Sequence, residues 1–372
     1  GIGCSVVISQ LFGAKKMEQL KTAIDTALFS ILVFSIILSL LGRALSVPIL
    51  TALKTPENIM ADATTYLNIY FYGFFFLFLY NAFTSVFNAL GDSKKPLYFL
   101  IFSSFVNIGL DIYFVKSLKL GVAGAAWATV AGQIVAAVMT GIKGYRKPPS
   151  FRKMKYYAGR IYFYGYSSVV MQAMYTVYIV VLNAILAGFS DAAVTVLGLY
   201  YKMQSFFFIP LIGLETCIVP VISYNYTRAA YRRCRDTVRC AVGFTLAVMA
   251  VGAAAFILIP DTLIRVFSGE AEVLAIAMEY VPVAVLLFLS SACRAPMNAL
   301  INGSGDYRVN FATAILDGLV MRIGLALLFG LGLHMQYMGF WPGDALAGFT
   351  PFGIGLAYYF SGSWKKQHPL RE

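Results

Sequence analysis

The chain has 372 residues, of which 59% are hydrophobic and only 12% charged, with a mean hydropathy of +0.75. A soluble domain carries about a quarter charged residues, so this composition excludes a fold surrounded by water, and at ~30 residues per span and loop about twelve spans fill the chain. The net charge of +12 is not a nucleic-acid footprint, because the basic residues sit between apolar runs and not on one water-facing surface.

In chain order, Gly1 to Phe12 (GIGCSVVISQLF) comes first. It is apolar, too short to cross a bilayer, and lacks the basic start and small-residue cleavage site of a signal peptide. We read it as part of a helix whose beginning is absent. Ten spans are then predicted, near 21–41, 64–90, 97–116, 121–143, 161–189, 192–226, 237–260, 273–302, 309–333 and 338–361. The loops alternate in charge. Lys15, Lys16, Lys94, Lys95, the stretch 143–160, Arg228 to Arg239, Arg308 and the tail from Lys365 fall on one side. That side is expected to be cytoplasmic, with the C-terminus. Cys4, Cys217, Cys234, Cys240 and Cys293 are scattered and odd in number, so neither a disulfide framework nor a zinc site is indicated. Only His334 and His368 occur, which speaks against a histidine-based centre.

Two segments repeat at one offset of 214 residues: 9–12 (SQLF) over 223–226 (SYNY), and 88–94 (NALGDSK) over 302–308 (NGSGDYR). Six predicted spans separate the copies, and an even number preserves orientation, so this is a parallel repeat. The expected fold is therefore all-α: a polytopic membrane protein of two pseudo-symmetric helical bundles. The first lobe, 1–143, is expected to hold a partial helix and four spans, and the second, 161–361, six. A basic linker at 144–160 joins them and a tail occupies 362–372. Arg160 would have its counterpart about 54 residues before Gly1, so one helix and the start of another are expected to be missing.

An ionisable residue at mid-membrane costs at least ~2.5 kcal/mol and is a functional candidate by default. Four acids qualify by position: Asp25, Asp111, Glu215 and Asp317. Asp25 follows Lys21 by four residues and is expected to pair with it. Asp317 and Arg322 are five apart, roughly 140° around an α-helix, so Asp317 is expected to pair with another helix. Asp111 stands one turn after Asn107 on the same helix face. The next span descends from Gly121, and at 1.5 Å per residue Asp111 lies ~8 Å from the outer boundary, Thr129 ~12 Å and Asn107 ~14 Å. Three oxygen-bearing side chains therefore share one depth. They suit sodium as hard ligands, and equally suit an exchangeable proton. Fastening two helices is the alternative role for such a network. Glu215 is a second candidate, between Pro210 and Pro220 in a long span that two prolines would bend. The aromatic run 66–80, with Met171, Met174 and Met203, is a candidate cavity wall for lipophilic cations.

The stretches SQLFGAKK (9–16), NALGDSKKPLYF (88–99), NIGLD (107–111), GVAGAAWAT (121–129), PVISYNY (220–226), GSGDYR (303–308) and YYFSGSWKK (358–366), in this order and spacing, resemble the multidrug and toxic compound extrusion (MATE) transporters, and within them the DinF-like branch. The resemblance implies two six-helix bundles facing across a cavity, which export amphipathic substrates in exchange for H+ or Na+. It also implies that Asn107, Asp111 and Thr129 line the first lobe's cation site, as metal ligands if the ion is sodium. In that branch the first helix adds an aspartate, which this chain does not contain. Thr227-Arg228 stands where the family usually has Gly-Ala, and the family does not usually place an acid at Glu215. In other branches the second lobe carries acids in its first and fourth helices. Residues 161–189 hold none and 273–302 only Glu279, which favours coupling in the first lobe. A monomer in the cell membrane is expected, with the lipid bilayer and small amphipathic molecules as partners, no nucleic acid, and no cofactor beyond the coupling ion. No G-x-x-x-x-G-K-[ST] is present, so nothing suggests an ATP motor. The alternatives are a lipid-linked sugar flippase of the related superfamily, for which only Lys202, Arg294 and Arg322 offer in-span positive charge, and an inactive fragment. An intramembrane enzyme is disfavoured by the scarcity of histidine.

Overall fold

The computed structural model describes residues 1–52, 57–141, 151–186, 188, 191–267, 270–335 and 337–366, among which there is no strand. The chain opens with α1 (Ile2–Gly13), in which every residue from Gly3 to Leu11 is buried. A helix apolar on all sides has no face to offer water, so neighbours enclose these residues. There follow α2 (Met17–Ala44), the short α3 (Ser46–Ala52), α4 (Glu57–Ala89), α5 (Lys94–Asp111) continued by a π-helical segment (Ile112–Ser117), and α6 (Gly121–Gly141). Next come α7 (Phe151–Leu186), α8 (Asp191–Thr227), α9 (Tyr231–Leu258), the short α10 (Pro260–Arg265) and α11 (Ala271–Ser304). The chain ends with α12 (Tyr307–Ile315), a π segment (Leu316–Met321), α13 (Arg322–Leu327), a second π segment (Leu328–Gly332), α14 (Tyr337–Ala347), α15 (Thr350–Ser361) and a 3₁₀ turn (Ser363–Lys366).

Among the described residues nine helical runs are long and apolar enough to span a membrane. They turn large apolar side chains outward, Phe105 at 70% and Phe206 at 72% exposed among them, which suits lipid and not water. The last predicted span, 338–361, is instead two short helices, α14 and α15. Pro351, in the first turn of α15, has no N–H to continue the ladder, and Gly348 just before it is a weak helix former. α7 begins at Phe151, so the second half of the basic stretch 144–160 is helical, while 144–150 lies outside the described residues, as do 367–372 of the tail. α8 runs unbroken through Pro210 and Pro220.

The chain divides into two compact units, one spanning Gly3–Tyr162 and the other from Phe163 onward. In the first, α4 packs on α2 and α6, and α5 on α6; in the second, α11 packs on α8, α9, α14 and α15. The 214-residue repeat is present in the details of both. Ser9 Oγ donates to the Ala89 carbonyl at 3.2 Å, and Ser223 Oγ to the Gly303 carbonyl at 2.7 Å. α1 and α8 each end on a left-handed residue, Lys15 (φ 58°) and Ala229 (φ 54°), beyond which the next N–H reaches back five residues, Lys16 to Leu11 and Ala230 to Asn225. Gly91 (φ 86°) and Gly305 (φ 76°) make the next paired turns, where a Cβ would be strained. Asp92 then accepts from the Lys95 N–H and Asp306 from the Val309 N–H, capping α5 and α12 alike.

Beyond these caps the offset becomes 215. The Leu118 N–H bonds the Tyr113 carbonyl and the Leu333 N–H that of Leu328, while Lys119 (φ 52°) and His334 (φ 55°) take the matching left-handed positions. The second copy thus carries one extra residue. A π turn is how an α-helix absorbs a one-residue insertion, and the second copy has the additional π segment Leu316–Met321.

Candidate cation site

Asp111 is the last residue of α5 before the backbone widens into the π segment, and Asn107 stands one turn earlier. α5 and α6 run antiparallel in close contact, because Gly132 lets the Asn107 side chain in: a Cβ on Gly132 would lie 3.0 Å from the Asn107 Cβ. Farther along, a Cβ on Gly124 would lie 3.1 Å from that of Phe114. Interpolating between these two contacts places Thr129 within about two residues' rise, ~3 Å, of the level of Asp111. The Thr129 hydroxyl donates to the Ala125 carbonyl at 3.0 Å, so its remaining lone pairs are what it can offer an ion.

Three side-chain atoms in this region are buried without a hydrogen-bond partner: Asp111 Oδ1, Asn107 Nδ2 and Gln133 Oε1. Each such orphan costs about 1–3 kcal/mol, and three of them on two packed helices need a reason. Gln133 is the residue that sequence reasoning missed. It follows Thr129 by four residues, the same one-turn rule that links Asn107 to Asp111, and α4 makes room for it at Gly73, whose Cβ would collide with Gln133 Oε1.

The other sequence candidates are placed elsewhere. Glu215 lies on α8 in the second unit, where Arg294 of α11 is the cation acting on it. Lys21 pairs with Glu18, at 2.8 Å; Glu18 is 88% exposed, so the pair forms where the helix meets water. Asp317 does pair within its own helical run, with Arg322 Nε at 3.3 Å. The π segment between them makes five residues close to one full turn, and so overturns the α-helical geometry that ruled this pair out. Arg322 also bonds Asp344 of α14, an acid that sequence reasoning passed over although it lies inside the last predicted span. Met203 is buried in the second unit's core and Met174 packs on Gly318.

The sequence profile of the MatE family matches residues 1–113 and 167–335. The chain belongs to the MatE family. This family consists of membrane transporters and not enzymes, and the chain is accordingly a multi-pass membrane transporter. It is 24% identical to the probable multidrug resistance protein YoeA of Bacillus subtilis, with 100% of this chain and 83% of that protein covered. It is also 24% identical to the multidrug export protein MepA of Staphylococcus saprophyticus, over 89% of this chain and 75% of that one. Among solved structures, a MOP superfamily transporter from Pyrococcus furiosus superposes with a TM-score of 0.89 at 18% identity, covering 99% of this chain and 84% of that one. A variant of the Vibrio cholerae MATE transporter VcmN gives 0.87 at 20% identity, covering 99% and 85%. At these identities the structures establish the fold of the MatE-family chain, two helical lobes, and the details of its sites rest on its own residues.

Proposed function

We propose that this MatE-family transporter is a secondary antiporter that exports amphipathic, cationic compounds in exchange for H+ or Na+. Asp111, Asn107 and Thr129 hold the coupling ion in the first lobe, with Gln133 as a fourth contributor. The observation that carries this reading is the set of three orphaned polar atoms at the α5/α6 seam beside α4, on residues spaced one turn apart. A proton on Asp111 would give the Gln133 oxygen a donor. Sodium would instead take the Asp111 carboxylate, the Gln133 oxygen, the Thr129 lone pairs and, after a half-turn of its amide, the Asn107 oxygen. The names of YoeA and MepA support drug export. The basic loops face the cytoplasm in this reading, and the unit is one chain. Arg322 is held between two carboxylates, which removes one of only three cations that a flippase for anionic lipid-linked sugars would use. The test is uptake of a lipophilic cation into inverted membrane vesicles. An acid or sodium-loaded lumen is expected to drive accumulation, and collapsing the gradient to stop it; accumulation indifferent to both gradients would overturn the proposal.

A further inference from the structure

The second lobe contains a buried charge cluster that ion coupling at Asp111 does not use. Arg322 is 2% exposed, Asp317 4% and Asp344 6%, and the guanidinium touches both carboxylates. Two acids against one base leave one uncompensated negative charge in the interior of the lobe. Among the described residues no cation besides Arg322 is in ion-pair contact with either carboxylate. α7 contributes Tyr175 and Tyr178, whose rings lie 5.4 and 5.6 Å from the guanidinium carbon. Tyr201 of α8 and Tyr280 of α11 also feel the charge of Asp344. Arg294 of α11 acts on Tyr175 and on Glu215 and forms no ion pair with either carboxylate of the cluster.

A single buried charge costs several kcal/mol unless it is paired, so the cluster needs a cation. The geometry points to a proton-binding site at Asp317–Arg322–Asp344 in the second lobe, distinct from the first-lobe ion site. A metal cation is disfavoured because the guanidinium already stands between the carboxylates and repels a second positive charge, whereas a proton bonds directly to one carboxylate oxygen. The Tyr178 hydroxyl is the second indication. Tyr178 is 1% exposed, its hydroxyl has no hydrogen-bond partner, and Asp344 is the charge that acts on it most strongly. A tyrosine hydroxyl can accept from a protonated carboxyl or donate to an ionised one. The one-residue insertion that separates the two copies is what creates the cluster, since without the π segment Leu316–Met321 Arg322 would not stand over Asp317. Protonation on Asp344 weakens its bond to Arg322 and so loosens α14 from α13.

Infrared difference spectroscopy on the purified full chain tests this without any transport assay. The wild type is expected to show, at neutral pH, the carbonyl stretch of a protonated carboxylic acid that shifts in D2O. Asp317→Asn and Asp344→Asn are each expected to lose one carboxyl equivalent of that band, because either leaves a neutral Asp–Arg pair. Asp111→Asn is expected to retain that equivalent, which separates this site from the coupling site. A band unchanged in both second-lobe variants would overturn the inference. Where a second-lobe variant does not fold, the double variant Asp111→Asn, Glu215→Gln still decides: its remaining band is expected to disappear on raising pH and to ignore added NaCl at fixed pH. Displacement by sodium would mean a metal site instead.

Discussion

Asp111→Asn is expected to abolish gradient-driven efflux in a protein that still folds and still binds substrate. The carboxylate is the only charged member of the group formed with Asn107, Thr129 and Gln133, and its Oδ1 is buried without a partner. The amide keeps the shape and removes the charge, so the packing of Asn107 against Gly132 is preserved. Coupling free energies between sites are typically 1–3 kcal/mol, about 5–150-fold in affinity, and that is the size of effect the ion should lose. Efflux from cells or vesicles under an imposed gradient should fall to the level of cells lacking the protein. Thermal unfolding of the purified variant should stay close to wild type, since a mutation that removes an orphaned polar charge removes no hydrogen bond.

Arg322→Gln is expected to do the opposite, damaging the fold itself. It leaves Asp317 and Asp344 facing each other in the core of the second unit with no guanidinium between them. Removing one partner of a buried ion pair typically costs 3–5 kcal/mol, which is a large share of the stability of any domain. Little folded protein is expected, with a lowered unfolding temperature for what remains. Converting both acids to asparagine in the same chain should restore most of the loss, because the uncompensated charges then disappear. Rescue by Asp317→Asn and Asp344→Asn together separates a charge defect from a packing defect, which would remain unrescued.

What was legible in the sequence was whatever obeys the α-helical period. The spacing of Asn107 and Asp111, the apolar runs, and the repeat at 9–12 and 88–94 can be read from residue numbers alone, and the caps at Asp92 and Asp306 place them in equivalent turns. Gln133 was within reach of the same rule, four residues after Thr129, but an amide in an alanine- and valine-rich run gives no charge signal. The Asp317–Arg322 pair was illegible for a different reason. It depends on a π segment, and nothing in LDGLVM announces that this turn holds an extra residue. Asp344 was hidden because its span was read as one continuous helix, where GDALAG looks like a small-residue packing stretch; the break before Pro351 makes α14 a separate helix packed on α13. The burial of Gly3 to Leu11 in α1 depends on what surrounds them, which the helix's own twelve residues do not contain.

The claim at the centre of this account is that the coupling cation and the substrate disfavour each other through Asp111. Linkage makes this measurable at equilibrium: a cation that expels the substrate must weaken its binding by the same factor by which the substrate weakens the cation's. Substrate affinity of the purified protein, titrated by fluorescence at low and at saturating proton or sodium concentration, is the most direct test. Wild type is expected to bind about 5–150-fold more weakly when the cation saturates, and Asp111→Asn to bind equally under both conditions. A wild type whose affinity ignores both cations, or an Asp111→Asn variant that keeps the full dependence, would contradict it.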